Sequence, residues 1–292
     1  MNVLPQTLFN GVTIGSIYAV IAVGLNLVLG VLGVVNFAQG EFYMLGAFIV
    51  YIFFFMGFPY WVCILFALLI ITVVGVITNQ LVIKPILRKS FTTQILATLG
   101  LSLLLQNTAL MIWGPTPREI PVPLTYKQIT VLHAVGIYST YQRLLVIISG
   151  LVLFKALDLF VKRTKMGKAI RAVSQNKEAC LIVGIDLNRI CLVSFCISVA
   201  LAAIAGGLIG PITLIAPIMG SIILLKAFAL VVMGGMGNIK GSIFSGYILG
   251  LVESFTAVYV ASIWKDGVAF LALTVFLLVK PEGIFGHRRR EF

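Results

Sequence analysis

Two amides and a carboxylate, Asn36, Gln39 and Glu41, fall within "NFAQGEFYMLG", a stretch that separates two strongly apolar runs. An amide offers donor and acceptor together, whereas an ionised carboxylate only accepts. Such a set can line a wet path with weak, transient polar contacts, or it can satisfy the backbone of an interrupted helix. Asn238 stands in a second glycine-rich interruption, "VVMGGMGNIKGSIFSGYILG", and offers the same two uses. Two further charges lie deep in apolar sequence. Lys226 and Glu253 are each about 13 residues from the turn at 239–240, so roughly 20 Å of antiparallel helix brings them to one depth. A lone charge there is costly. The two are expected to pair, either as a neutralising strut or as a site for substrate or protons.

Covalent chemistry is not indicated, and the chain is not read as an enzyme. No Ser, Cys or His has a nucleophile-like setting. His133 and His287 have no Cys or carboxylate at ligand spacing, so no metal is assigned. Cys63, Cys180, Cys191 and Cys196 fall in apolar runs or a basic loop and imply no disulfide framework. "GGMGNIKGS" lacks the Gly-Lys-Ser/Thr order of a phosphate loop. Lys155 and Asp158, one turn apart, read as a local ion pair.

The most informative polar element is the loop over 162–188. "SQNKEACLIVGIDLNR" predicts a short helix with Asn176 as N-cap, Lys177 to Val183 as its turns and Gly184 as the stop, after which Asp186 caps the next run. Its apolar residues, edged by Lys165, Lys168 and Arg171, suit docking into a partner's groove. They equally suit an interfacial helix held by anionic lipid.

The elements that position these residues are membrane helices. Of the 292 residues, 60% are hydrophobic and 10% charged, and the mean hydropathy of +1.12 exceeds what a soluble core of this size could hide. Apolar runs at 8–32, 41–56, 60–82, 94–113, 139–161, 189–216, 219–238, 241–262 and 265–280 predict an all-α polytopic protein of nine transmembrane helices, with eight as the alternative. The first is read as a retained span and not a signal peptide, since no basic region precedes it. The net charge of +12 is concentrated near residue 84, in the 162–188 loop and in the tail "HRRREF". That distribution marks cytoplasmic segments in a lipid bilayer, not a nucleic-acid surface. The proline-bearing stretch 114–139 is then external, with a small extended or hairpin element.

Between the two glycine-rich interruptions, Asn36 matches Asn238 and Gly46 matches Gly246, as in distant parallel copies. That arrangement puts the N-terminus outside and the C-terminus inside. Small residues four apart, at Gly11 and Gly15, Ala202, Gly206 and Gly210, and Gly246 and Gly250, predict tight helix contacts or a subunit interface.

Three separated stretches resemble one family: "GLNLVLGVLGVVNFAQGEFYMLGAF", "RTKMGKAIRAVSQNKEACLIVGIDLNRI" and "ALVVMGGMGNIKGSIFSGYILGLVESF". They are similar, in order, to motifs of the permease subunits of bacterial high-affinity branched-chain amino acid ABC importers. The resemblance covers nearly the whole chain. It implies a single permease domain over 1–292 in the bacterial inner membrane, with a bundle related to vitamin B12-type importer permeases. It also implies a second homologous permease, two ATPase subunits that hold the ATP and magnesium, and a periplasmic substrate-binding protein. No cofactor is implied in this chain. On this resemblance the 162–188 loop is the coupling element, with Arg171, Asn176, Glu178, Ala179 and Gly184 inside the matching motif. Asn36, Gln39, Glu41 and Asn238 are the candidate substrate-pathway residues. Related permeases serve urea and short-chain amides, which stand as the alternative cargo, and a self-contained facilitator stands as the alternative class.

Overall fold

Helix α1 (Val3–Leu32) carries its only proline, Pro5, in the first turn, where a missing N–H costs no bond. From Gly15 to Val28 every residue is buried, so α1 is the central post of the molecule. The computed structural model describes residues 3–129, 137–280 and 283–285. Helix α1 is followed by α2 (Gln39–Phe55), α3 (Tyr60–Ile86) and α4 (Phe91–Trp113). After a single turn α5 (Pro123–Tyr126) come α6 (Tyr141–Arg163), α7 (Lys165–Gln175) and α8 (Lys177–Ile182). The chain ends with α9 (Leu187–Ile209), α10 (Met219–Gly234), α11 (Ile239–Tyr259) and α12 (Lys265–Val279).

Each of the nine apolar runs contains a helix. Among the described residues six helices, α1, α3, α4, α6, α9 and α11, are long and apolar enough to cross a membrane, while α2 and α10 are shorter apolar helices. No strand is present among the described residues. The 114–139 stretch holds α5 and two isolated bridges, Arg118 with Ile215 and Gln128 with Thr140, and His133 and the tail from 286 lie outside the described residues. In α3 the turns over Asn79–Ile83 widen, with Lys84 N–H reaching Asn79 O, just before Pro85, whose ring would strike the carbonyl four residues back in a regular helix.

The small residues work inside the chain. A Cβ on Gly11 would come 2.9 Å from Leu251 Cα, and one on Gly15 would come 2.9 Å from Tyr247 Cα, so α1 and α11 run antiparallel at close range. Gly250 faces Gly15 across the same seam, Gly246 faces Ala19, and Gly46 of α2 faces Ala203 of α9. Because α10 is also antiparallel to α11, with Gly234 against Gly241, α1 and α10 run in the same direction.

One expected pair is corrected. Asp158 bonds Lys162 at 2.9 Å, not Lys155. The four-residue spacing with the acid N-terminal is the favoured geometry on a helix surface and follows the helix dipole.

Candidate functional site

Polar side chains gather in four places within this apolar bundle. The first is the break between α1 and α2. Gly33 takes φ +73°, a left-handed stop for α1. Asn36 then folds back on its own loop: its Oδ1 accepts the Ala38 N–H at 3.1 Å, and its Nδ2 donates to Gln39 Oε1 at 3.2 Å. Gln39 Nε2 donates to the Ser198 carbonyl of α9 at 3.0 Å, and Ser198 Oγ donates to the Gly24 carbonyl of α1 at 2.6 Å. Thr98 of α4 reaches the Val35 carbonyl at 3.2 Å. Asn36, Gln39 and Glu41 are all fully buried. Glu41 Oε1 accepts from Ser102 Oγ at 3.1 Å, and its Oε2 lies against Gly220 in the first turn of α10. The N-termini of α2 and α10 thus meet at one buried carboxylate.

The second place is the break between α10 and α11, where Gly235 and Gly237 take φ +99° and +83°. Here the organising side chain comes from α1. Asn26, buried, accepts the Gly237 N–H at 2.6 Å, while its Nδ2 faces the Asn238 carbonyl at 2.9 Å and Ser242 Oγ at 2.6 Å. Asn238 itself caps α11 through the Gly241 N–H at 3.2 Å and donates to the Phe285 carbonyl at 3.3 Å.

The third is a charge node. Lys226 Nζ lies 2.7 Å from Glu253 Oε1 and 2.7 Å from Asp266 Oδ1, and it donates to Tyr18 Oη at 2.8 Å. Tyr18 Oη in turn donates to Glu253 Oε2 at 2.6 Å. Lys226 and Glu253, expected to meet, stand side by side. Tyr18 and Asp266 come from α1 and the head of α12 and carried no spacing that tied them to the pair.

The fourth is the α7–α8 hairpin. Gly167, Ile170 and Val173 turn inward from α7, and Thr164 caps it through the Gly167 N–H at 2.9 Å. Asn176 caps α8 through the Ala179 N–H at 3.0 Å, Gly184 stops it at φ +80°, and Asp186 caps α9. Arg171, Asn176, Glu178, Ala179 and Gly184 are all exposed. So are three apolar residues at the end of α8, with Ile182 89% accessible beside Leu181 and Val183. Lys177 reaches back into the bundle and donates to the Leu32 carbonyl, the last of α1, at 2.7 Å. Asn26, Ser198 and Lys177 were not singled out in the sequence, because each looks like an ordinary polar residue in a helix until its partner is known. Among the described residues no group of His, Cys, Asp or Glu could hold a metal, and the four cysteines are free.

A profile of the family described as "Branched-chain amino acid transport system / permease component" matches residues 7–278. The chain belongs to this family. The permease is 32% identical over 300 residues to the high-affinity branched-chain amino acid transport system permease protein LivH of Escherichia coli K12, covering 98% of this chain and 96% of that protein. It is 32% identical over 297 residues to the corresponding protein BraD of Pseudomonas aeruginosa, covering 98% and 97%. To the E. coli K12 permease protein LivM it is 30% identical over 257 residues, covering 77% of the permease and 58% of LivM. The solved structure of PsaBC from Streptococcus pneumoniae in complex with Fab shares the fold, with TM-score 0.52 and 12% identity over 98% of the permease and 94% of that chain.

Proposed function

We propose that the permease is the membrane-spanning subunit of an ATP-driven importer that carries branched-chain or related hydrophobic amino acids across a bacterial inner membrane. The observation that carries this reading is the near full-length similarity to permease proteins of branched-chain amino acid transport systems. The similarity to LivM supports pairing with a second homologous permease. Two ATPase subunits, holding ATP and magnesium, and a periplasmic binding protein complete the proposed assembly, and no cofactor is assigned to this chain.

In this reading residues 1–292 form one domain of nine spans related to vitamin B12-type importer permeases, with the N-terminus periplasmic and the C-terminus cytoplasmic. The units α1–α2 and α10–α11 act as parallel copies, since α1 and α10 run in one direction. The helices α2 and α10, at 17 and 16 residues, reach roughly 25 Å, short of the ~30 Å hydrocarbon layer. One end of each therefore stops inside the membrane, where protein shields the irregular backbone. The 162–188 loop is the coupling element. ATPase closure would push on the exposed face of α8, and Lys177 would carry that push to the end of α1. Asn36, Gln39, Glu41 and Asn238 serve the pathway by fixing the two breaks on which the spans pivot. Lys226 and Glu253 form the neutralising strut between α10 and α11.

The test is uptake by proteoliposomes that hold the permease with its partner permease, ATPases and binding protein. Leucine, isoleucine or valine should accumulate only with ATP, binding protein and all membrane subunits present. Preferred uptake of urea or acetamide would move the cargo to the amide alternative. Amino acid flux through the permease alone, without ATP, would replace the importer reading with a facilitator.

A further inference from the structure

A cavity of about 560 Å³ opens among α1, α10, α11 and the 210–218 connection. It lies toward the end of the bundle where α1 begins, since Ser254 of α11 bonds the Thr7 carbonyl and Arg143 of α6 bonds Asn10. Its volume is in the range of small-molecule sites. Its charge is unequal, with Arg143, Lys226 and Lys265 in the lining against one carboxylate, Glu253. That carboxylate is taken, by Lys226 at 2.7 Å and by the Tyr18 hydroxyl at 2.6 Å. Even with Asp266, which pairs with Lys226 from outside the lining, three cations stand against two carboxylates.

The polar groups left over are donors. Arg143 meets the neutral amide oxygen of Asn10, and neither it nor Lys265 pairs with a carboxylate among the described residues. Tyr43 also lines the cavity, 5% exposed, and its hydroxyl has no hydrogen-bond partner among the described residues. A buried phenol ordinarily finds one. The depth of the two cations is marked by their neighbours. Arg143 stands in the first turn of α6, two residues after exposed Tyr141, and Lys265 opens α12 directly after exposed Trp264. Exposed Tyr and Trp collect where hydrocarbon gives way to headgroups, so both cations sit at headgroup level. The lining residues Leu214, Ile222 and Val258 are themselves exposed, so the rim is apolar and is not closed by this chain.

We infer that this cavity is a binding site for an anionic phospholipid, with the phosphate held at Arg143, Lys265 adding to the positive field, and an acyl chain between the apolar walls of α1, α10 and α11. Guanidinium and phosphate make strong charge-assisted bonds, and basic pockets between membrane helices are where acidic headgroups bind. A bilayer supplies such a ligand directly at the apolar rim, which a free carboxylate in water would have to reach against lipid. The site is independent of the cargo proposed above.

The experiment uses the complete membrane complex in phosphatidylcholine nanodiscs doped with phosphatidylglycerol that carries a diazirine on one acyl chain, with crosslinks mapped by peptide mass spectrometry. Label should appear at 222–223 and 257–258. Unlabelled phosphatidylglycerol should displace it, and the same amount of added phosphatidylcholine should not. Arg143→Gln and Lys265→Gln should each cut this label ~5-fold, whereas Lys89→Gln, an exposed cation outside the cavity, should leave it unchanged. Should Arg143→Gln fail to assemble, Lys265→Gln, at an exposed position, carries the same test. Equal labelling of these segments by diazirine-bearing phosphatidylcholine, label confined to other exposed faces such as 103–104, or unchanged label in Lys265→Gln would each overturn the inference. Displacement by water-soluble isovalerate as effective as that by phosphatidylglycerol would replace the lipid with a free carboxylate and overturn it as well.

Discussion

The two helix breaks share a glycine-rich plan and an asparagine, yet they are held in opposite ways. In the first, the loop's own amides do the holding: Asn36 braces the turn and Gln39 anchors it to Ser198 of α9, entirely out of solvent. In the second, the bracing amide is Asn26, borrowed from α1, and the break's own Asn238 is left to cap α11 and hold Phe285 at a half-buried edge. Each break is also tied to a different segment of the chain. Lys177 of the α7–α8 hairpin holds the carbonyl where α1 stops, whereas the 283–285 segment covers the end of α10, with Ile284 N–H on the Met233 carbonyl at 2.8 Å. A glycine-rich interruption thus specifies where backbone groups lose their helical partners. Which side chain satisfies them is decided by the neighbours.

The sharpest way to break this contrast is Asn26→Leu. It removes the acceptor of the Gly237 N–H and the amide donor shared by the Gly235 and Asn238 carbonyls and Ser242 Oγ, and each bond lost around a buried amide costs about 1–3 kcal/mol. The expected outcome is loss of monodisperse complex in detergent size-exclusion, with little protein left in the membrane. Normal yield and normal melting temperature would show that the second break does not depend on α1.

Gln39→Leu should do less, roughly 2 kcal/mol, because it removes the anchor to Ser198 while Asn36 still braces the turn through Ala38. The complex should assemble with a lowered melting temperature. If Gln39→Leu proved as damaging as Asn26→Leu, the two breaks would be equivalent after all.

The helices were legible because a run of apolar residues long enough to span lipid can satisfy its backbone in only one way. The caps at Asn176, Gly184 and Asp186 were legible for a similar reason, since each acts within three residues of itself. The depth argument that placed Lys226 opposite Glu253 worked because both sit on neighbours joined by one short turn. It gave no hint of Tyr18 or Asp266, whose approach depends on where α1 and α12 pack. Asn26 and Ser198 are single polar residues in long apolar helices, and nothing in their flanks distinguishes a staple between helices from a side chain bonded to its own turn. Lys155 misled for the opposite reason, as two lysines compete for Asp158 and only the four-residue spacing brings one to 2.9 Å. Amphipathic α7 was hidden among the basic residues of its loop.

Asn238→Ala tests the second break from its own side. It removes a single N-cap, worth about 1 kcal/mol, and the contact to Phe285. Asn26 still holds the loop, so transport should persist with a small fall in melting temperature, and Asn238→Ser should restore most of that loss. A transport defect at normal stability would instead put Asn238 in contact with cargo.

Lys177→Met should have the smallest effect on stability, a charge at a helix C-terminus being worth ~0.3–1 kcal/mol, and it bears on the first break alone. Its value lies in what else it reads. Lys177 sits on α8, which ends in exposed apolar residues suited to a partner, and its ammonium holds the end of the helix that leads into Asn36 and Gln39. If that bond carries motion from the ATPases to the break, Lys177→Met should leave assembly and ATP hydrolysis in place while amino acid delivered per ATP falls several-fold. Lys177→Arg, which keeps a long cationic donor, should recover much of the ratio. An unchanged ratio in Lys177→Met would show that the first break does not depend on this lysine, and any transmission from the α7–α8 hairpin would then run through the contacts of α7 against α1.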